Sequence, residues 1–152
     1  MISIIRTDSS NPDFRDLVAL LDNDLLIRDG EEHSFYAQFN KLDKIKEAVV
    51  AYIDEEAVGS GALRAYTAEI AEIKRMFVKP QFRGRGIAQN ILAALETWAK
   101  ELNFSACILE TGKKQPEAIS LYQTAGYTFI PNYGQYENVE NSVSMKKNLD
   151  EK

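Results

Sequence analysis

The sequence contains very little cysteine or histidine, and this limits both its chemistry and its location. Among 152 residues there is one cysteine and one histidine, so no disulfide can form within the chain and a reducing cytoplasm is expected. Cys107 lies in an apolar run and is predicted to be a buried structural thiol. The N-terminus lacks the apolar core of a signal peptide, and no apolar run approaches membrane-spanning length. We therefore expect a cytoplasmic protein that does not engage a membrane.

An excess of positive charge is also missing. The formal net charge is −5, although 18 of the residues are Lys or Arg. These cations are scattered, apart from a local cluster between residues 74 and 85, so a nucleic-acid partner is not indicated. A small polyanionic cofactor fits such a local cluster better. The length and a hydrophobic content of 45% predict a single domain over residues 1–147, followed by a frayed tail over residues 148–152.

The stretch from residue 72 to residue 92 organises the chain, because it reads as a strand, a glycine-rich turn and the start of a helix. The strand ends at Pro80, which has no N–H for a sheet ladder. The turn contains two glycines and two arginines, namely Arg83, Gly84, Arg85 and Gly86. Unsatisfied N–H groups at the helix start, the helix dipole and the arginines together predict an anion site, most simply for phosphate or pyrophosphate.

Two common phosphate motifs do not fit this turn. A Walker P-loop needs Lys and then Ser or Thr after its second glycine, whereas Gly86 is followed by Ile87 and Ala88. A dinucleotide fingerprint needs a third small residue where Gln89 stands, and an acidic ribose partner about 20 residues later is missing. An ordinary strand–helix turn, with glycines serving geometry only, remains open from this motif alone.

A third pattern, Arg/Gln-x-x-Gly-x-Gly/Ala, is met by residues 81–88. Together with the preceding strand Glu-Ile-Lys-Arg-Met-Phe-Val, it resembles the acetyl-CoA motif of the GNAT superfamily of N-acetyltransferases. A second block resembles the superfamily signature Asn-x-x-Ala-x-x-x-Tyr followed by Gly-Phe/Tyr. Its positions in this chain are Gln115, where Asn is commoner, then Ala118, Tyr122 and the pair 126–127. The resemblance covers nearly the whole chain and points to small single-domain bacterial members.

The order of predicted elements agrees with this resemblance. Hydrophobic periodicity, turn residues and caps predict the order β-α-α-β-β-β-α-β-α-β-β. The predicted strands are 2–5, 49–53, 58–66, 68–78, 105–110, 127–130 and 142–146, and the predicted helices are 11–28, 31–39, 85–102 and 115–125. The expected fold is α/β (α+β). It has a mixed, mostly antiparallel sheet of about seven strands, flanked by about four helices, in which two splayed parallel strands bind the cofactor.

The resemblance implies direct transfer of the acetyl group of acetyl-CoA, as co-substrate, to a primary amine. Backbone N–H groups of the glycine turn would bind the pyrophosphate, the strand edge at Met76 and Val78 would pair with the pantetheine arm, and an N–H at Met76 or Phe77 would serve the thioester oxygen. The implied cofactor-binding residues are Met76, Phe77, Val78, Arg83, Gly84, Arg85, Gly86, Ile87, Ala88, Gln115 and Ala118.

Two residues are the predicted catalysts. Tyr122 would donate a proton to the leaving thiolate, since a phenol with a pKa of about 10 is protonated at neutral pH. The alternative is that Tyr122 has no catalytic role and packs in the core from the buried face of its helix. Glu72 would accept a proton from the amine through a water, with Glu69 and Glu110 as alternatives. A solvated strand carboxylate without a catalytic role is the competing interpretation of Glu72.

The resemblance implies an acceptor pocket between residues 28–36 and the loop 131–136. Its predicted members are Arg28, Tyr36, Arg64 and Tyr133, with Tyr136 as a further candidate and His33 as a weak one. Because an arginine can bind a carboxylate through two hydrogen bonds, an amino-acid-like small molecule ranks first. Packing of these aromatics on the core is the alternative. No metal ligand is predicted.

Two other functions stay open at this stage. The acceptor could be a protein lysine or N-terminus, or the domain could hold acyl-CoA without turnover. The oligomeric state is also open, with a homodimer as one option.

Overall fold

The computed structural model describes residues 2–29 and 45–149, without the side chains of residues 24–29. Several predictions lie outside these residues. They are the short helix over 31–39, the weak candidate His33, the acceptor residue Tyr36 and the side chain of Arg28.

The strands form one seven-stranded sheet in the spatial order β1-β2-β3-β4-β5-β7-β6. Their bounds are β1 Ile2–Thr7, β2 Glu47–Ile53, β3 Glu56–Ala65, β4 Ile70–Val78, β5 Ala106–Gly112, β6 Thr128–Ile130 and β7 Ser142–Asn148. Neighbouring strands pair antiparallel, apart from β4 and β5, which pair parallel through the crossover helix between them. The predicted mixed, mostly antiparallel sheet is confirmed.

Three α-helices lie within the described residues: α1 Pro12–Asp29, α2 Ile87–Glu101 and α3 Pro116–Thr124. The start of α1 follows its sequence signals, because the Asn11 side chain accepts a hydrogen bond of 3.0 Å from the Phe14 N–H and proline takes the first helical position. The predicted fourth helix falls on residues 31–39, beyond the described part.

The two faces of the sheet are covered by different helices. Buried residues of α2 and α3, including Ile91, Leu95 and Tyr122, pack in one cluster with Ile73 and Val78 of β4. Apolar side chains of α1 pack in a second cluster that contains Phe77 of β4. The two clusters form the core and fix β4 at its centre. Within the described residues, no helix is both long and apolar enough to cross a membrane.

Cys107 lies on β5 within the first cluster and is buried. Burial raises the pKa of its thiol to about 12. The predicted burial of this thiol is confirmed.

The end of the domain lies later than the sequence indicates. Asn148 is the last residue of β7. Leu149 is buried, and its N–H donates a hydrogen bond of 2.8 Å to the Ser105 carbonyl. The prediction of a frayed tail beginning at Asn148 was therefore wrong for these two residues, because the apolar side chain and backbone of Leu149 are both engaged.

Candidate active site

The parallel strands β4 and β5 separate halfway along their length. Their pairing runs from Ile70 opposite Ala106 to Ile73 opposite Leu109. Beyond this point β4 continues alongside β3, and β5 continues alongside β7. Within the described residues, the edge of β4 that faces β5 has no strand partner from residue 74 to residue 78. This fork agrees with the expected splayed strands, and two cavities open at it.

A β-bulge deforms β4 at this fork. Ser60 pairs with Phe77 and Ala62 pairs with Lys74, so two residues of β4, Arg75 and Met76, lie opposite a single residue of β3. Arg75 has φ 59, a left-handed conformation that carries strain for a residue with a side chain. Glycine at position 61 fits the close approach of α2, because a Cβ there would lie 2.8 Å from atoms of Ile91 and Leu95.

The bulge is visible in the spacing of the β4 side chains that face α2. Ile73 and then Met76 and Val78 pack with the α2 cluster, three and two residues apart. A regular strand would alternate every second residue throughout. The extra residue therefore lies between Lys74 and Met76, while Ile73, Met76 and Val78 share the α2 face.

A cavity of about 470 Å³ lies between the free edge of β4, the glycine-rich turn and α3. Gly84 and Gly86 have φ 81 and 79, a conformation that glycine adopts without strain. Gly86 caps α2 without a side-chain hydrogen bond from the described residues, so the first N–H groups of this helix lack a side-chain cap there. A Cβ at Gly84 would meet nothing within 4 Å. The turn thus presents backbone donors and open space to the cavity.

Ten of the eleven predicted cofactor-binding residues line this cavity: Met76, Phe77, Val78, Arg83, Gly84, Gly86, Ile87, Ala88, Gln115 and Ala118. Arg85 is not part of the lining. It is exposed, and its guanidinium carbon lies 5.3 Å from the centre of the Phe82 ring. Arg83 is held differently, because its Nε donates a hydrogen bond of 2.8 Å to the Val78 carbonyl. Other lining residues, which the motifs did not indicate, are Phe82, Gln89, Glu117 and Leu121.

A smaller cavity, of about 120 Å³, lies on the other side of the fork. It reaches Leu21 of α1 and includes charged residues of β4 and β5. Four residues line both cavities: Met76, Gln115, Ala118 and Tyr122. The two cavities therefore meet beside α3 and the bulge.

Tyr122 is buried at this junction. Burial, with a smaller contribution from Glu110, raises the pKa of its hydroxyl well above the ordinary value, so the phenol stays protonated at neutral pH. Its ring packs edge-to-face on Tyr127, with the ring centres 5.9 Å apart. Both interpretations from the sequence agree with this position, because Tyr122 belongs to the core cluster and also borders the two cavities.

Glu72 is buried and lines the smaller cavity. Arg64, its cross-strand neighbour, donates from Nε to Oε1 over 2.8 Å, and the Tyr133 hydroxyl donates to Oε2 over 2.7 Å. Burial and the adjacent Glu72 raise the pKa of Tyr133 far above its ordinary value. A carboxylate has about four lone-pair positions, so Glu72 retains acceptor capacity toward the cavity.

Arg64 and Tyr133 were predicted to bind the acceptor, and the structure places both beside Glu72. Neither lines the smaller cavity, and both direct polar groups at Glu72. Of the other candidates, Tyr136 and Glu110 line this cavity, whereas Glu69 is exposed in the turn before β4.

Two cations line the smaller cavity that were not among the site residues predicted from the sequence, Lys74 and Arg75. Burial lowers the pKa of both. The side chain of Arg75 is 1% exposed, and its Nη1 lies 3.5 Å from Oδ1 of Asp22 on α1. Nothing in the local sequence marks the bulge that turns Arg75 inward.

Comparison with known proteins identifies the family of this chain. The model of the Acetyltransferase (GNAT) family matches residues 12–127. One curated relative is IAA acetyltransferase from Azospirillum brasilense, which is 36% identical over 102 residues that cover 66% of this chain and 67% of that protein. Two further curated relatives are longer proteins, and this chain matches 50% of the length of one and 36% of the length of the other.

Solved structures share the fold over nearly the whole chain. A protein from Klebsiella pneumoniae, described as a candidate acyl-CoA N-acyltransferase, is 29% identical with a TM-score of 0.82 over 98% of both chains. A GNAT family acetyltransferase from Elizabethkingia anophelis with acetyl-CoA bound is 19% identical with a TM-score of 0.70 over 97% of both chains. The family match extends over more than half of the chain and the fold agrees with it, so the chain belongs to the GNAT family of acetyltransferases, whose co-substrate is acetyl-CoA.

Proposed function

We propose that the protein is an N-acetyltransferase that moves the acetyl group of acetyl-CoA directly to the primary amine of a small, amino-acid-like molecule. The observation that carries this proposal is the meeting of two cavities at Tyr122 and Met76, beside the free edge of β4. A donor in one cavity and an acceptor in the other would bring thioester and amine together, which is the main requirement of a direct transfer.

The larger cavity suits acetyl-CoA. Its backbone N–H groups at the start of α2 would bind the pyrophosphate, and Arg83 would add positive charge. The peptide-like pantetheine arm would pair with the edge of β4 that has no strand partner among the described residues. An N–H at Met76 or Phe77 would then donate to the thioester oxygen as negative charge develops there.

The chemistry follows from this placement. The amine nitrogen attacks the thioester carbonyl carbon, and the C–N bond forms as the C–S bond breaks. Glu72 takes the proton that the amine loses, through a water, while Arg64 and Tyr133 hold its carboxylate in place. Tyr122 donates its hydroxyl proton to the departing thiolate.

The lining of the smaller cavity favours a small acceptor that carries both charges. Glu72 and Glu110 are acidic groups suited to an ammonium, and Lys74 and Arg75 are cations suited to a carboxylate. The Azospirillum relative is likewise named for IAA rather than for a protein acceptor. These points rank an amino-acid-like acceptor above a protein amine.

The proposal is tested by following thiol release from acetyl-CoA with a panel of free amino acids, their amides, polyamines and short peptides, and by identifying products by mass spectrometry. We expect acetylation of one or more free amino acids. Acetylation of peptides alone would favour a protein acceptor. Tight acetyl-CoA binding without thiol release in any reaction would favour a binding module.

A further inference from the structure

Arg75 lines the smaller cavity and carries an unusual guanidinium group. Its side chain is 1% exposed. Nε, Nη1 and Nη2 are each buried without a hydrogen-bond partner in the structure, which describes residues 2–29 and 45–149. Buried donors are nearly always satisfied in native proteins, and a buried charge without hydrogen bonds is strongly unfavourable. An arrangement of this kind calls for a partner that the described residues do not provide.

Asp22 does not meet this need. It lies 3.5 Å from Nη1, which is too long for a charge-assisted hydrogen bond, and its own side chain is 43% exposed. This partial pairing offsets some of the charge and leaves the planar donors of the guanidinium unused. The neighbouring groups are Tyr136 near the guanidinium and Lys74 on the same strand, and a second cation further favours an anion at this point.

The position of Arg75 also fits a substrate contact. It lines the acceptor cavity with Glu72 and Tyr136, and it directly precedes Met76, which borders both cavities. The bulge places it there in a strained left-handed conformation, φ 59, and strain of this kind is concentrated at functional sites. Two arginines were predicted from the sequence for this role. Arg64 is bound to Glu72 instead, and the side chain of Arg28 lies outside the described residues.

We propose that Arg75 binds the carboxylate of the acceptor through paired N–H···O hydrogen bonds and so selects amines that carry an anionic group close to the reacting nitrogen. This rests on the proposed acetyl transfer. Arg75 acts as a specificity-determining residue, and its loss affects the recognition of the acceptor more than the chemical step.

The test compares each accepted amino acid with its amide and with its decarboxylated amine, in the wild-type protein and in Arg75→Gln and Arg75→Lys. We expect the wild type to prefer the carboxylate form by about 100-fold in kcat/KM, because hydrogen bonds between charged groups are the strong ones. In Arg75→Gln this preference falls to near one, mainly through a higher KM. Arg75→Lys retains part of it, since a point charge replaces the planar fork. Arg6→Gln, which alters an exposed arginine paired with Glu101, keeps the wild-type preference.

A second variant, Asp22→Asn, is expected to change the KM for carboxylate acceptors in the opposite direction to Arg75→Gln. Asp22→Asn removes the partial counter-charge, so KM for carboxylate acceptors falls several-fold while KM for the amides does not. A purely structural Arg75–Asp22 pair predicts that both variants lower the thermal stability and change all acceptors alike, and that result would overturn the inference.

The outcome is separable from that of the proposed function. If the wild type acetylates amines without any preference for carboxylates, the proposed function stands and the inference is refuted. If no amine is acetylated, the inference is tested by measuring the binding of amino acids to the CoA-saturated protein by calorimetry. Binding of amino acids that Arg75→Gln abolishes supports the anion site, and absence of binding to the wild type refutes it.

Discussion

Replacing Tyr122 by Phe separates the two interpretations of this residue most cleanly. The substitution removes one hydroxyl and keeps the ring, its edge-to-face contact with Tyr127 and its place in the core. If the hydroxyl protonates the departing thiolate, turnover should fall by about 10²–10⁴-fold, the usual contribution of a general acid. This corresponds to about 3–5 kcal/mol in the activation free energy, at about 1.4 kcal/mol for each tenfold change.

The phenol is in the protonated state that a proton donor requires. Burial, and after it Glu110, raises the pKa of Tyr122, so the hydroxyl is protonated in essentially every molecule at neutral pH. No activity should therefore be lost through its ionisation below about pH 10. The free energy of unfolding should change by less than about 1.5 kcal/mol, the upper range for one neutral hydrogen bond.

Tyr127 provides a matched control with the opposite expectation. It is also a buried tyrosine, and its hydroxyl donates a hydrogen bond of 2.9 Å to Glu96. Tyr127→Phe should lower the unfolding free energy by about 1.5–3 kcal/mol, the range for hydrogen bonds to charged groups. This amounts to a drop of several degrees in Tm for a chain of this size. Turnover should stay close to that of the wild type, because Tyr127 lines neither cavity.

The assay combines thiol release at saturating acetyl-CoA, calorimetry for acetyl-CoA affinity and circular dichroism for Tm. Tyr122→Phe should lose turnover at retained Tm and affinity, and Tyr127→Phe should lose Tm at retained turnover. If Tyr122→Phe turns over within about threefold of the wild type, the hydroxyl has no acid role and Tyr122 is a core residue only.

Three further predictions concern other parts of the molecule. Gly86→Glu should abolish acetyl-CoA binding in calorimetry. Gly86→Ala carries the same φ strain without the charge and should keep much of the affinity. Equal affinities of the two variants would show that the turn does not bind the cofactor. Glu72→Gln should lower kcat/KM most at neutral pH and less at high pH, where more of the amine is already deprotonated, and a uniform loss across pH would indicate a structural role. Burial raises the pKa values of Tyr122, Tyr127 and Tyr133 above the unfolded value. The protonated forms therefore stabilise the fold below about pH 10, and Tm measured against pH should fall as pH rises above that value, with a flat profile arguing against their burial.

Much of the fold follows directly from the sequence, because its signals are local and strong. Three local signals predict helices directly: the apolar repeat of α2, the prolines at the starts of α1 and α3, and the glycine turn at residues 84–86. The structure has helices at the positions that these signals predict. The parallel pairing of β4 with β5 follows from the crossover helix between them.

The acceptor side depends on information that is not local. Arg64 and Tyr133 contact Glu72 because of strand register and the packing of a loop, and neither is encoded in a short pattern. The bulge is still less visible, since a left-handed residue is usually glycine or asparagine and here it is an arginine. Arg75 therefore reads as one more solvated strand residue until the three-dimensional arrangement is known.

The bulge in β4 has a consequence for single-residue deletions. Because it adds one residue to this strand, a chain that lacks Arg75 would place Met76, Phe77 and Val78 in a regular ladder with β3, with each apolar side chain still on its present face. Deletions within central strands normally reverse the facing of everything beyond them, yet here the shortened strand matches its partner residue for residue. The hydrophobic core should therefore accommodate either strand length, although only the longer strand contains the bulge that lies beside the two cavities.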